Sequence, residues 1–182
     1  MHFPLDKHMM KAVVLAAFIS CSPQIDEQGV QQVSLTDVSL TVSAPEGRQW
    51  QEGEVISVYD GFAPRDFTAA STGTEVTFNG KAAKADVYHA VSPASSCKAY
   101  DVDKFSVSVP AVQGAYKDTY DPSAFIMAGK SEGSTISMEP LCALLKVELE
   151  EGNSDIVTLK FSDVQGGLLS GMAVVTTGPD GR

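Results

Sequence analysis

From residue 33 onward, apolar and polar positions alternate in short bursts, and no stretch keeps the spacing of an amphipathic helix. Val38, Leu40 and Val42 alternate with Ser39, Thr41 and Ser43, which predicts a strand with one wet face. Pro45-Glu46-Gly47-Arg48 then reads as an exposed turn. Trp50 leads through Gly53, a residue able to take positive φ, into Val55, Ile56, Val58 and Tyr59, types that suit a pleated, half-buried surface. Asp60-Gly61 ends that strand. Val76 and Phe78 flank Thr77 ahead of Asn79-Gly80, a dipeptide favoured in hairpin turns, so a turn is expected there. Alternation returns over 85–90, closed by Pro93, and over 105–109, closed by Pro110. The run 124–128 is continuously apolar, as in a strand buried on both faces. Further strands are expected at 136–138, 143–149, 157–161 and 168–175. About nine or ten short strands bounded by Gly, Pro, Asn and Asp, with no βαβ alternation, predict an all-β fold, an antiparallel β-sandwich.

The chain ahead of this region is built differently. Lys7, His8 and Lys11 precede an unbroken apolar run over 12–19, shorter than the about 20 residues that span a bilayer but suited to the core of a signal peptide. The run ends Phe18-Ile19-Ser20-Cys21, which resembles a bacterial lipoprotein box and makes Cys21 the expected lipidation site. Residues 1–20 are then a lipoprotein signal peptide and 21–33 a polar, Gln-rich tether, leaving 34–182 as one domain. More than one acyl chain is needed for stable anchoring, and a lipoprotein cysteine carries more than one.

The 182 residues carry a formal charge of −10, with 13 basic side chains scattered along the chain. That balance argues against nucleic acid as a partner. Of the three cysteines, Cys97 and Cys142 lie in the body, and with His89 they fall short of the four ligands of a structural zinc site, so no metal and no cofactor is expected. Ser57, Asp60 and His89 supply the residue types of a hydrolase triad without any spacing that orders them, and no enzyme is expected. Asp101 and Asp103 read as solvated loop carboxylates in preference to a calcium site, and Gly166-Gly167 opens no helix that could hold phosphate. Trp50, the single tryptophan, is expected to be a core anchor and not a sugar-stacking platform. Cys97 and Cys142 could pair outside the cytoplasm, or Cys142 could be a small buried hydrophobe.

Read in order, the motifs resemble the N-terminal domain of the fimbrillin family, surface lipoproteins that build or resemble type V pili. The matching pieces are the box at Cys21, Trp50-x-x-Gly53-x-x-Ile56-Ser57-Val58-Tyr59-Asp60-Gly61, Phe78-Asn79-Gly80, Tyr88 through Pro93, Pro110 through Gln113, Phe125 through Ala128, Leu141 through Val147, and Leu169-Ser170-Gly171. Glu54 departs from the family's usual Asp. The resemblance implies a transthyretin-like, Greek-key sandwich, normally followed by a second, which the sequence to Arg182 does not contain. It implies a pilin-like, anchor or cap subunit at the outer membrane or in a fimbrium. Its partners would be the membrane, other pilin subunits joined by β-strand addition, and a host or bacterial surface ligand. In the family an Arg-specific protease removes the first strand, and Arg48, the only arginine between Cys21 and Trp50, is the residue where that cut would fall. From a different class, a glycan-binding surface lipoprotein with a β-sandwich module is the alternative.

Overall fold

The computed structural model describes residues 33–101, 104–116, 119–148 and 158–176. The expected signal peptide, Cys21 and nearly all of the tether lie outside the described residues. Eleven strands occur among those described. They are β1 (Thr36–Ser43), β2 (Val55–Tyr59), β3 (Pro64–Ala69), β4 (Glu75–Ala82), β5 (His89–Ser92), β6 (Cys97–Asp101), β7 (Lys104–Val109), β8 (Met127–Glu132), β9 (Thr135–Ser137), β10 (Glu139–Pro140) and β11 (Gly171–Thr176). The one helical element is a single 3₁₀ turn, Ala94–Ser96.

The larger sheet runs β10-β8-β5-β2-β3-β4-β1-β9, and β8 also pairs with β9. The β8–β9 pairing bends the sheet back on itself, so seven strands form a closed, barrel-like ring. The pairing is antiparallel except at one seam, where β1 runs parallel to β9. A second sheet, β11-β7-β6, lies against one side of the ring.

Period-2 alternation sorts the side chains between two cores. Leu40, Val42, Trp50, Ile56, Val58, Phe67, Phe78 and Ile136 fill the ring interior, all at or near zero exposure. Val91 on β5, Ile126, and Phe105 and Val107 on β7 form a second core between the ring and the small sheet. β5 is therefore covered on both faces, with Ala90 turned to the first core and Val91 to the second. Met127 and Ile126 divide in the same way, as the continuous apolar run over 124–128 implied, although the strand itself begins only at Met127.

Several expected elements differ. Asn79-Gly80 is not a turn. Both residues lie inside β4, paired across to Ser39 and Val38 on β1. The glycine serves close packing: a Cβ on Gly80 would stand 2.5 Å from the buried Phe67 ring directly across on β3. Gly129 plays a similar part where the ring closes, since a Cβ there would meet the Ser137 carbonyl oxygen at 2.5 Å. The strand expected over 85–90 begins at His89, and that over 168–175 begins at Gly171. Residues 143–148 and 158–161 form no strand, and Leu145, Val147, Leu159 and Phe161 are exposed; 149–157 lie outside the described residues. An alternating pattern specifies a face but not a neighbour, and among the described residues no ladder adjoins these segments.

Replacing Gly80 with Ala should lower stability by about 1–3 kcal/mol, because the Phe67 ring has no space to move into. Urea unfolding should record this as a lower midpoint with an unchanged slope.

Candidate functional site

The most specialised part of the fold is the seam around β1. Along its whole length β1 pairs antiparallel with β4, from Thr36 opposite Ala82 to Ser43 opposite Glu75. On its other side only Thr41, Val42 and Ser43 pair with β9, reinforced by Thr41 N–H donating to the Ser134 carbonyl at 2.8 Å and Met138 N–H donating to the Ser43 carbonyl at 3.1 Å. Leu40 and Val42 point into the ring core, and Val38 packs at its margin. Burying each such side chain stabilises the fold by roughly 1.5–3 kcal/mol. The ring is thus joined by one strand, the first of the described elements.

β1 ends in the turn Pro45-Glu46-Gly47-Arg48. The Arg48 amide donates to the Pro45 carbonyl at 3.1 Å, and Gly47 sits at φ 81°, the conformation that a type II turn requires at its third position. The turn is present as expected, but the Arg48 side chain is not a solvated one. Only 11% of it is exposed. Its Nη2 donates to Glu54 Oε1 at 3.0 Å, and its guanidinium carbon lies 4.7 Å from the centroid of the Trp50 ring. Arg48 Nε is buried without a protein acceptor. Glu54 is held in turn, its other oxygen accepting the Gln51 amide at 2.8 Å. Beside this group opens a shallow pocket of about 230 Å³ lined by Arg48, Glu54, Ser92, Ser95, Pro122 and Ser123. The sequence marked Arg48 for its position; the pairing with Glu54, seven-tenths buried, was legible only in the fold.

Trp50 is fully buried, edge-on to Phe78 with centroids 5.0 Å apart, so its ring offers no surface to a sugar. It also ties the 50–54 turn to the rest of the ring by a reciprocal backbone pair with Gly73.

Ser57 on β2, Asp60 just past its end and His89 on β5 each make contacts of their own. Asp60 is a turn clamp. Its oxygens accept the amides of Phe62, Ala63 and Ala83 at 2.9–3.0 Å and Arg65 Nε at 3.1 Å. Burial pushes its carboxyl up, but these donors outweigh burial and hold it below the usual aspartate value. Ser57 is buried, and the Tyr100 hydroxyl donates to its carbonyl at 3.0 Å. Tyr100 stacks on Tyr59 at 4.8 Å, and burial raises its phenol well above the ordinary value. His89 stands opposite Tyr59 and Lys130, and burial together with the Lys130 charge lowers its pKa.

Cys97 and Cys142 are both free and half-buried, packed against the second core. Burial raises the Cys97 thiol, which keeps it protonated. Among the described residues no three His, Cys, Asp or Glu side chains gather in one place, and no helix is long and apolar enough to cross a membrane. Asp101 ends β6 at the surface, and Asp103 lies outside the described residues. Gly166 and Gly167 belong to an exposed turn closed by the Asp163 carboxylate, which accepts the amides of Gln165 at 3.0 Å and Gly167 at 2.9 Å. No family model, curated protein or solved structure matches the chain.

Cleavage after Arg48 requires its side chain to leave Trp50 and Glu54. The Glu54→Ala chain should therefore be cut there by trypsin about tenfold faster, equivalent to about 1.4 kcal/mol of lost restraint. Mass spectrometry of a digestion time course would check it. His89 gives a second expectation. A histidine with a lowered folded pKa binds fewer protons folded than unfolded, so stability should fall as pH drops through the unfolded value near 6.5. His89 is the one histidine beyond residue 8, so His89→Gln should flatten the profile between about pH 7.5 and 5.5.

Proposed function

We propose that this chain is exported as a lipoprotein of the fimbrillin kind, carried to the outer membrane on Cys21 until a cut at Arg48 releases the domain from that anchor, and that it serves as a structural or adhesive component of fimbriae and joins its neighbours by strand addition. The observation that carries this reading is the position of β1. A single strand at the leader side of the domain separates β4 from β9, and the first arginine after it is Arg48. A cut at Arg48 would free β1 from its covalent tie to the domain. Its departure would expose Val76, Phe78 and Ile136, all now buried, and leave two unpaired backbone edges. An open groove of that kind takes a replacement strand, with backbone pairing giving affinity and alternate side chains giving register.

The ring and the small sheet are part of the same reading, as a transthyretin-like sandwich with Greek-key order. Support comes from the sequence β2-β3-β4-β1 along the sheet, in which three hairpin-linked strands are joined by one from elsewhere in the chain. Arg48 is tied down in the intact domain, so processing would act before the turn closes or during its opening.

N-terminal sequencing of surface material should find Gln49 as the first residue, whereas Cys21 as the mature terminus would remove processing from the proposal. A chain starting at Gln49 should bind a synthetic peptide of residues 34–45, and Leu40→Asp in that peptide should weaken binding more than about 100-fold, since it places a charge in the core.

A further inference from the structure

We propose that the edge of β11 left unpaired among the described residues pairs antiparallel with β11 of a second copy of this chain, about a twofold axis, joining the two small sheets into one. The first ground is the contrast between sheet edges. β6, at the far side of the small sheet, is guarded by an irregular register between Cys97 and Ala99 and by Lys98 and Asp101. β10 is two residues long and consists of Glu139 and Pro140. These are the ordinary devices that keep an edge from pairing with another chain. β11, Gly-Met-Ala-Val-Val-Thr, has none of them: no charge, no proline and an unbroken six-residue register against β7 from Gly171 to Thr176.

The second ground is exposure. An uncharged strand of this composition is typical of positions covered on both faces. Here Val175 alone packs against the second core, while Met172 and Val174 are 62% and 67% exposed on the opposite face. Leu168 and Leu169, which lead into the strand, are 90% and 59% exposed. A strand edge by itself falls short of the roughly 800 Å² per partner that a stable interface needs, and these neighbours widen the apolar area.

A second copy is the occupant that fits. Each chain carries a formal charge of −10, so two copies repel wherever charged surfaces meet. β11 is a surface on which they can approach without that cost, and an uncharged strand is complementary to itself when it is turned end for end. Pairing about a twofold axis uses the same patch on both chains and closes, which is the commonest form of homo-oligomer. The edge is separate from the β1 seam, and the inference does not depend on processing at Arg48.

Sedimentation equilibrium on the full chain carrying Cys21→Ser, so that no lipid drives association, tests this directly. A monomer–dimer equilibrium is expected, unchanged by Arg48→Gln. Met172→Lys with Val174→Lys should weaken the dimer at least about tenfold, because like charges then face each other across the axis. These side chains are mostly exposed, so the monomer should keep its fold by circular dichroism. Mixing that chain with one carrying Met172→Glu and Val174→Glu should restore dimers. A monomer at every concentration would overturn the proposal. So would a dimer indifferent to the lysines, or open-ended association in place of a closed pair.

Discussion

An unpaired strand edge in contact with an apolar core is costly twice over, in backbone groups without partners and in side chains left wet. The ring avoids both by having its ends meet, and the meeting is made by β1. β4 holds this strand over eight positions, whereas β9 holds it over three, all in the half that follows Leu40. Leu40 and Val42 reach the same core as Phe78 and Ile136, so closure and core formation are one event. The turns at 45–48 and 51–54 follow from this. They carry the chain from the seam to β2, and Trp50, buried between them, fixes their position against Phe78.

The charged groups in this region are braces. Asp60 gathers three amides and Arg65 beneath the β2–β3 connection, and Arg48 lies across Trp50 to meet Glu54. Each is a charge removed from most of the surrounding water and repaid by directed partners. Each also sits where the chain reverses, the places a hairpin fold has least backbone pairing of its own. The pocket beside Arg48 is a gap between the 48–55 turn region and the segments that carry Pro93 and Pro122.

Much of the ring was legible in the sequence because its strands are half-buried. The alternation in 38–42 and 105–109 marks β1 and β7 directly, and Trp50 through Gly61 gives an anchor, a turn, a strand and a second turn in the order found. β3 and β6 were not legible. Pro-Arg-Asp-Phe-Thr-Ala buries only Phe67 and Ala69, and Cys-Lys-Ala-Tyr-Asp buries no residue fully, so both are strands because their neighbours pair with them. Asn79-Gly80 misled for a physical reason: the dipeptide that permits a tight turn also permits an aromatic ring to lie on the backbone. Ring closure through a parallel β1–β9 contact left no local trace, since it joins segments about 90 residues apart through three residues each. At the candidate site the arginine could be located in the sequence, but its ion pair could not.

The mixed pairing of β1 has one more implication. Any chain that takes this place must run opposite to β4 and alongside β9 in the same sense, and those two conditions admit a single orientation. The slot therefore has a polarity. A row of such domains, each filled from its neighbour, would have two unlike ends, one offering an empty slot and the other an unplaced strand.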